Sequence, residues 1–175
     1  MKKLSLLFVF LFQFGSITYS QLLFNENFNY TGPLLSNGWL ISSTNTTNPQ
    51  TAVGRGLTFP GYPSVSGNAC PMANVGHDVY ATYTPVNSGS VYLSFLVNVS
   101  AALTGDYFIA LSSSTAQTNY VGRVFIKSTT GGSLVGVLKS NETPQVYGTT
   151  VFPLGTTCLV VMKYVFNTGN GTMTL

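Results

Sequence analysis

Carboxylates and histidines, the side chains that catalysis uses most often, are scarce in this chain of 175 residues. The single histidine, His77, is followed directly by Asp78. Adjacent residues of a strand point to opposite faces, so this carboxylate is not placed to orient that imidazole. We interpret His77-Asp78 as the polar start of a strand. The other acids are Glu26, Asp106 and Glu142.

The spacing of these four acids disfavours a glycosidase, because a glycosidase built on a β-sandwich typically carries its two acids on one strand. No Gly-x-Ser-x-Gly elbow for a serine nucleophile occurs. Gly131-Gly132 lacks the lysine and helix of a phosphate-binding loop and predicts a hairpin turn. Asp78 and Asp106 could bind Ca²⁺ with backbone oxygens, but so few acids disfavour a high-affinity cage. We therefore expect no catalytic residues, no metal and no cofactor.

Binding is the chemistry that the aromatic residues favour, because tyrosine and tryptophan rings stack on sugars while neutral polar side chains bond to hydroxyls. The aromatic residues able to stack in this way are Trp39, Tyr62, Tyr83, Tyr92, Tyr107 and Tyr120. Trp39 is one candidate for the site, with a core aromatic as the alternative interpretation. The turn-rich stretch 43–68 holds two more, Arg55 between glycines and Tyr62 between Gly61 and Pro63. We predict that these residues contact a glycan. The alternative is that the stretch only covers a sheet edge and that Tyr62 packs inward.

Two cysteines, Cys70 and Cys158, leave two alternatives open. An exported chain permits a disulfide between them, whereas buried thiols would act as small apolar groups. A metal site formed by both cysteines and His77 is disfavoured, because no CxxC or HxxxH spacing exists.

The elements that must position these groups are β-strands. Val91, Leu93, Phe95, Val97 and Val99 alternate with mostly polar residues, which predicts a strand over 90–99 with one buried face. Further strands are predicted over residues 22–28, 39–42, 78–84, 107–111, 120–127, 134–139 and 158–166. No helical periodicity follows residue 20. We predict an all-β fold, a two-sheet antiparallel β-sandwich with jelly-roll order.

The last long strand also has a predictable register. Cys158, Val160, Met162, Tyr164 and Phe166 form its likelier core face, with Lys163 on the opposite face. Residues 172–175 are predicted to begin an antiparallel strand beside 158–166. Because the chain stops there, we expect a truncated C-terminal strand and an incomplete domain over residues 21–175.

Residues 1–20 have the pattern of a secretory signal peptide, with Lys2 and Lys3 before the apolar run 4–14 and small residues at 18 and 20. The apolar run is too short to span a bilayer, so no membrane span is expected in the mature chain. Without residues 1–20 the chain contains five basic and four acidic residues, so its net charge is close to neutral. Such a balance disfavours a nucleic-acid partner. We expect a secreted or cell-surface protein.

Several ordered segments resemble an N-terminal domain that is common in large exported proteins of Bacteroidota and related phyla. They are residues 26–32, 37–39, 56–63, 88–98, 105–108, 122–125 and 163–164. The resemblance implies a concanavalin-like or laminin-G-like jelly roll, a cell-surface or extracellular fate and, often, a downstream type IX secretion sorting domain. It implies no catalytic residue. Cys70 and Cys158 depart from it, because similar domains usually carry apolar or aromatic residues there.

Two functions follow as hypotheses. The first is a non-catalytic surface module, adhesive or glycan-binding, whose partners are glycans or cell-surface polysaccharide and the downstream domains of the same polypeptide. The alternative is an accessory or degenerate domain of an extracellular hydrolase.

Overall fold

The computed structural model describes residues 21–42, 47–62, 67–114, 119–140, 142–166 and 172–174. Its elements are eleven strands and one 3-10 turn over Leu34–Asn37. The strands are β1 (Gly32–Pro33), β2 (Leu40–Ile41), β3 (Thr51–Ala52), β4 (Val79–Tyr80), β5 (Ser90–Asn98), β6 (Asp106–Ser112), β7 (Tyr120–Thr129), β8 (Gly132–Lys139), β9 (Val146–Tyr147), β10 (Thr157–Val165) and β11 (Thr172–Thr174).

One sheet has three strands in the order β11-β10-β5, all antiparallel. The predicted faces of both long strands are confirmed. Val91 of β5 is buried, as are Val160, Met162 and Tyr164 of β10. The predicted antiparallel partner of β10 is also confirmed, because β11 pairs with it from Val165 back to Lys163.

The second sheet is a meander of four consecutive antiparallel strands, β6-β7-β8-β9. β7 and β8 form a hairpin whose ladder closes at Thr129 and Gly132. The predicted hairpin turn at Gly131-Gly132 is therefore confirmed. Both strands carry apolar β-branched residues, which suit a pleated sheet with one buried face: Val121, Val124 and Ile126 in β7, and Val135 and Val137 in β8.

The two sheets pack face to face around one apolar cluster. The three-stranded sheet contributes Val91, Val160, Met162 and Tyr164, and the four-stranded sheet contributes Leu111, Val124 and Val135. Burying one such side chain contributes about 1.5–3 kcal/mol, so this cluster is the main source of stability. The all-β antiparallel sandwich predicted from alternation is confirmed, while its jelly-roll order stays a prediction.

The N-terminal segment differs from the sequence prediction, because residues 22–28 form no strand. The backbone at Phe28 has a φ of 50°, which interrupts an extended chain. The Phe28 N–H donates to Oε1 of Glu26 at 2.6 Å. A side chain therefore takes a donor that a strand would need for its ladder. The predicted strand over 22–28 is wrong for this reason.

Two other predicted strands are much shorter than expected. Only two residues each from 39–42 and 78–84 are extended, and they pair with each other as β2 and β4. The stretch 43–68 is also not one continuous loop, because β3 pairs with β1 and Val53 bridges to Ala69. No helix within the described ranges has the length and apolar composition needed to cross a membrane.

Candidate functional site

The outer face of the three-stranded sheet carries the candidate site. In the antiparallel register of β5 and β10, Tyr92 lies opposite Lys163 and Ser94 opposite Val161. Side chains that are directly opposite share one face of the sheet, with their Cβ atoms about 5 Å apart. We call the surface formed by Tyr92, Ser94, Val161, Lys163 and Tyr62 the Tyr92 face.

Two side chains of this surface are well exposed. The Tyr92 side chain is 62% exposed, more than any other described aromatic residue, and Val161 is 42% exposed. Both belong to strands whose alternate residues fill the core, so the sheet itself holds them in place. An exposed aromatic ring on a rigid strand is a preorganised contact surface.

The turn-rich stretch 43–68, which the sequence predicts to contact a ligand, meets the Tyr92 face at Tyr62. Its hydroxyl lies 3.4 Å from Oγ of Ser94, and its side chain is half-buried. Arg55, from the same stretch, is exposed, and its guanidinium has no hydrogen bond or ion pair to another described residue. The structure therefore places Tyr62 on the Tyr92 face and records no contact that places Arg55 there.

The Tyr92 face carries one formal charge. Nζ of Lys163 lies 5.6 Å from the centroid of the Tyr92 ring, within the range of a cation–π contact. Among the described residues, no carboxylate lies within ion-pair distance of this ammonium. The face thus combines two aromatic rings, three hydroxyl groups and an ammonium that pairs with no carboxylate of the described residues. These groups can stack on an apolar ring face and bond to polar substituents at its edge.

Trp39, the third candidate from the sequence, contacts the N-terminal segment. Its indole Nε1 donates to Oε2 of Glu26 at 2.9 Å. Its ring stacks with Phe28 at 6.5 Å and meets Phe24 edge-on at 5.9 Å. The side chain is half-buried. Trp39 therefore anchors the N-terminal segment, and its indole donor is already used.

Both cysteines are free thiols in the structure. Sγ of Cys70 donates to Oε1 of Gln50 at 3.3 Å, and Sγ of Cys158 lies 3.7 Å from the carbonyl oxygen of Thr156. Burial raises the pKa of both thiols, which disfavours the reactive thiolate. Cys158 is half-buried at the start of β10, less enclosed than its place on the core face predicted.

The candidate calcium ligands and the histidine do not form a metal site in the part of the chain that is described. There, no group of three His, Cys, Asp or Glu residues is close enough to hold a metal ion. His77 is buried directly before β4, and neither ring nitrogen has a hydrogen-bond partner. Asp78 is exposed, so these two residues do not form a dyad. Oδ1 of Asp106 accepts the Tyr107 N–H at 2.8 Å.

The four-stranded sheet bears an aromatic cluster that includes two residues singled out from the sequence, Tyr107 and Tyr120, together with Arg123 and Phe125. Cζ of Arg123 lies 5.5 to 5.8 Å from the ring centroids of Tyr107, Tyr120 and Phe125. The guanidinium also donates to the carbonyl oxygen of Ser140. Because one cation already occupies the space between three rings, we interpret this cluster as a packing unit of the sheet.

The same cluster gives a pH-dependent prediction. The hydrogen bond to Tyr120, then burial, then nearby negative charges raise the pKa of Tyr107 to about 12. The folded state therefore binds this proton more tightly than the unfolded state, whose pKa is about 10. Its contribution to stability is complete below pH about 10 and is lost as the pH rises through about 12.

We expect the ultraviolet titration of tyrosinate to show a late-titrating group that Tyr107→Phe removes. Tyr80→Phe is the control, since it removes a tyrosine that lies outside this cluster. A Tyr107→Phe curve identical to the wild-type curve above pH about 10 would contradict the assignment.

The Tyr92 face was only partly visible in the sequence. The alternation of residues in β5 predicts that Tyr92 lies on the face opposite the core, and the alternation in β10 predicts the same for Lys163. No local pattern predicts that these two strands pair with each other. Comparisons with protein-family models, with curated proteins and with solved structures find no match.

Proposed function

We propose that this chain is an exported, non-catalytic carbohydrate-binding module and that the Tyr92 face is its binding surface. The observation that carries the proposal is the exposed Tyr92 ring on a rigid strand, beside Ser94, Tyr62 and the Lys163 ammonium. A sugar presents apolar C–H groups on its ring face and hydroxyls at its edge. The Tyr92 ring matches the ring face, and the polar groups around it match the edge.

The contacts of the carboxylates support the non-catalytic part of the proposal. Glu26 accepts from Phe28, Tyr30 and Trp39. Glu142 pairs with a lysine at 3.4 Å on the four-stranded sheet. None of the four acids belongs to β5 or β10, so a sugar on the Tyr92 face would not lie between paired acids from these strands.

The export part of the proposal is supported by the signal pattern of residues 1–20 and by the neutral, polar composition of the remainder. A module outside the cell meets polysaccharide as an abundant ligand class. Weak, multivalent binding by a flat face suits attachment to such a polymer.

Tyr92→Ala is expected to weaken polysaccharide binding by about tenfold or more, because it removes the stacking surface while leaving the sheet intact. Binding would be measured by affinity electrophoresis and calorimetry of the purified protein against laminarin, xylan, mannan and homogalacturonan. Tyr92→Phe keeps the ring and should retain most of the affinity. Since Tyr92 is mostly exposed, Tyr92→Ala should lower the free energy of unfolding by less than about 1 kcal/mol.

Val146→Ala is the matched control, because Val146 is exposed on β9 of the opposite sheet. It should leave binding unchanged. Equal binding by Tyr92→Ala and wild-type protein, or no binding to any of these polysaccharides, would overturn the proposal.

A further inference from the structure

The positive charge of Lys163 bears on which class of glycan the Tyr92 face would bind. β5 and β10 together contain one charged residue, Lys163. The other positions of both strands are apolar or neutral, so Lys163 alone gives this pair of strands a formal charge. Its described contact is with the ring of Tyr92, at 5.6 Å.

The other basic residues of the sandwich sheets are more closely engaged. Arg123 lies among three rings and donates to a carbonyl, and Nζ of Lys127 lies 4.1 Å from the centroid of an aromatic ring. Lys139 pairs with Glu142. Lys163 differs because its described contact is with one ring, at a distance longer than that of the Lys127 contact.

The acids are also placed away from this surface. Glu26 is held by the indole of Trp39, and Glu142 by Lys139. Asp106 begins β6 and Asp78 precedes β4, and both are close enough to Tyr107 of the opposite sheet to raise its pKa. Among the described residues, Lys163 therefore supplies the formal charge of the Tyr92 face, and a positive charge favours an anionic ligand over a neutral or cationic one.

We propose that the ligand of the Tyr92 face is an anionic glycan, whose sugar ring stacks on Tyr92 while its carboxylate or sulfate pairs with Lys163. This inference rests on the proposed carbohydrate-binding function. A stacked ring lies about 4 Å from the tyrosine ring, so an anionic substituent of the same sugar residue comes within reach of an ammonium 5.6 Å from the ring centroid. Half-burial of Lys163 strengthens such a pair, because water screens it less than at a fully exposed site.

The test uses polymer pairs that differ only in charge. Homogalacturonan with free carboxylates is compared with its highly methyl-esterified form, and dextran sulfate with dextran. We expect the purified protein to bind the charged member of a pair about tenfold more tightly, and Lys163→Gln to remove most of this preference. Preference within the first pair assigns the anion as a carboxylate, and preference within the second assigns it as a sulfate.

Salt gives an independent readout. Raising NaCl from about 0.05 M to about 0.5 M shortens the screening length severalfold, so wild-type affinity for the charged polymer should fall several-fold. The affinity of Lys163→Gln should fall less. Lys139→Gln is the matched control, since it removes the same charge from the opposite sheet and should keep both the preference and the salt dependence.

Each failure has its own meaning. Equal binding of charged and neutral polymers, lost in Tyr92→Ala but unchanged in Lys163→Gln, would overturn the anionic inference and leave the carbohydrate-binding function standing. If the wild-type protein binds none of the polymers, both the carbohydrate-binding function and the anionic inference are overturned. Concentration-dependent dimerisation that Tyr92→Ala abolishes would assign the face to a second copy of the chain and also overturn the inference.

Discussion

Gly132→Ala is expected to lower the free energy of unfolding by about 3 kcal/mol or more. A methyl group on Gly132 would lie 2.1 Å from the carbonyl oxygen of Phe152 and 2.8 Å from its carbonyl carbon. Both atoms belong to the backbone, which cannot move aside as a flexible side chain can. The added carbon must therefore push the two backbone segments apart.

The damage should spread because this contact joins several elements. Ser133 and Phe152 exchange two backbone hydrogen bonds of 2.9 Å, and Ser133 is fully buried. The Phe152 ring packs against the apolar cluster between the sheets. Separating these segments breaks both hydrogen bonds, exposes the start of β8 and withdraws a ring from the core.

Thermal and denaturant unfolding followed by circular dichroism would measure the loss. A decrease of 3 kcal/mol corresponds to a Tm about 6–12 °C lower in a domain of this size. Gly148→Ala is the matched control, since its methyl would meet no described atom closer than 3.6 Å. Similar stability of the Gly132→Ala and Gly148→Ala variants would contradict the clash argument.

Glu26→Ala is the second substitution with a large expected effect, about 2 kcal/mol or more of stability. The carboxylate accepts from the Phe28 N–H at 2.6 Å, the Trp39 indole at 2.9 Å and the Tyr30 hydroxyl at 3.2 Å. Alanine leaves all three donors without this acceptor in a half-buried site. The segment around residues 24–30 should then detach from Trp39.

The fluorescence of Trp39, the only tryptophan of the chain, reports this detachment directly. We expect a red-shifted emission and a transition at lower denaturant concentration in Glu26→Ala. Glu142→Ala removes a carboxylate whose side chain is mostly exposed in its ion pair, so it should cost less than about 1 kcal/mol. A double-mutant cycle with Trp39→Phe isolates the indole bond. Unchanged emission and stability in Glu26→Ala would contradict the anchoring role.

Alkaline titration gives a second measure of the same contact. Burial, followed by the negative charge and hydrogen bond of Glu26, raises the pKa of Tyr30 to about 12. This contribution to stability is complete below the unfolded pKa of about 10 and is lost as the pH rises through about 12. In Glu26→Ala the pKa of Tyr30 should fall toward its ordinary value.

Local alternation was enough to determine which residues of the long strands face the core. Val91 in β5 and Met162 in β10 are buried as their positions predict, and the turn at Gly131-Gly132 closes the expected hairpin. A strand reverses the direction of its side chains at every residue, so the buried face can be read from a few neighbouring positions. The all-β class follows from the same property.

The same reasoning failed where one side chain overrides the local pattern. Residues 22–28 have apolar and aromatic residues suited to a strand, yet Glu26 captures the Phe28 N–H and the indole of Trp39. Periodicity describes the average preference of a segment. It contains no information on a hydrogen bond from residue 26 to a ring thirteen positions away.

Which residues meet at the candidate site was decided by the tertiary structure. The sequence put Tyr92 and Lys163 on the outer faces of two strands and put Tyr62 in a turn-rich stretch. Only the pairing of β5 with β10 sets Tyr92 opposite Lys163, and only the path of the chain brings the Tyr62 hydroxyl to Ser94. Pairing between distant strands depends on the packing of whole sheets and on loop closure, which no short pattern records.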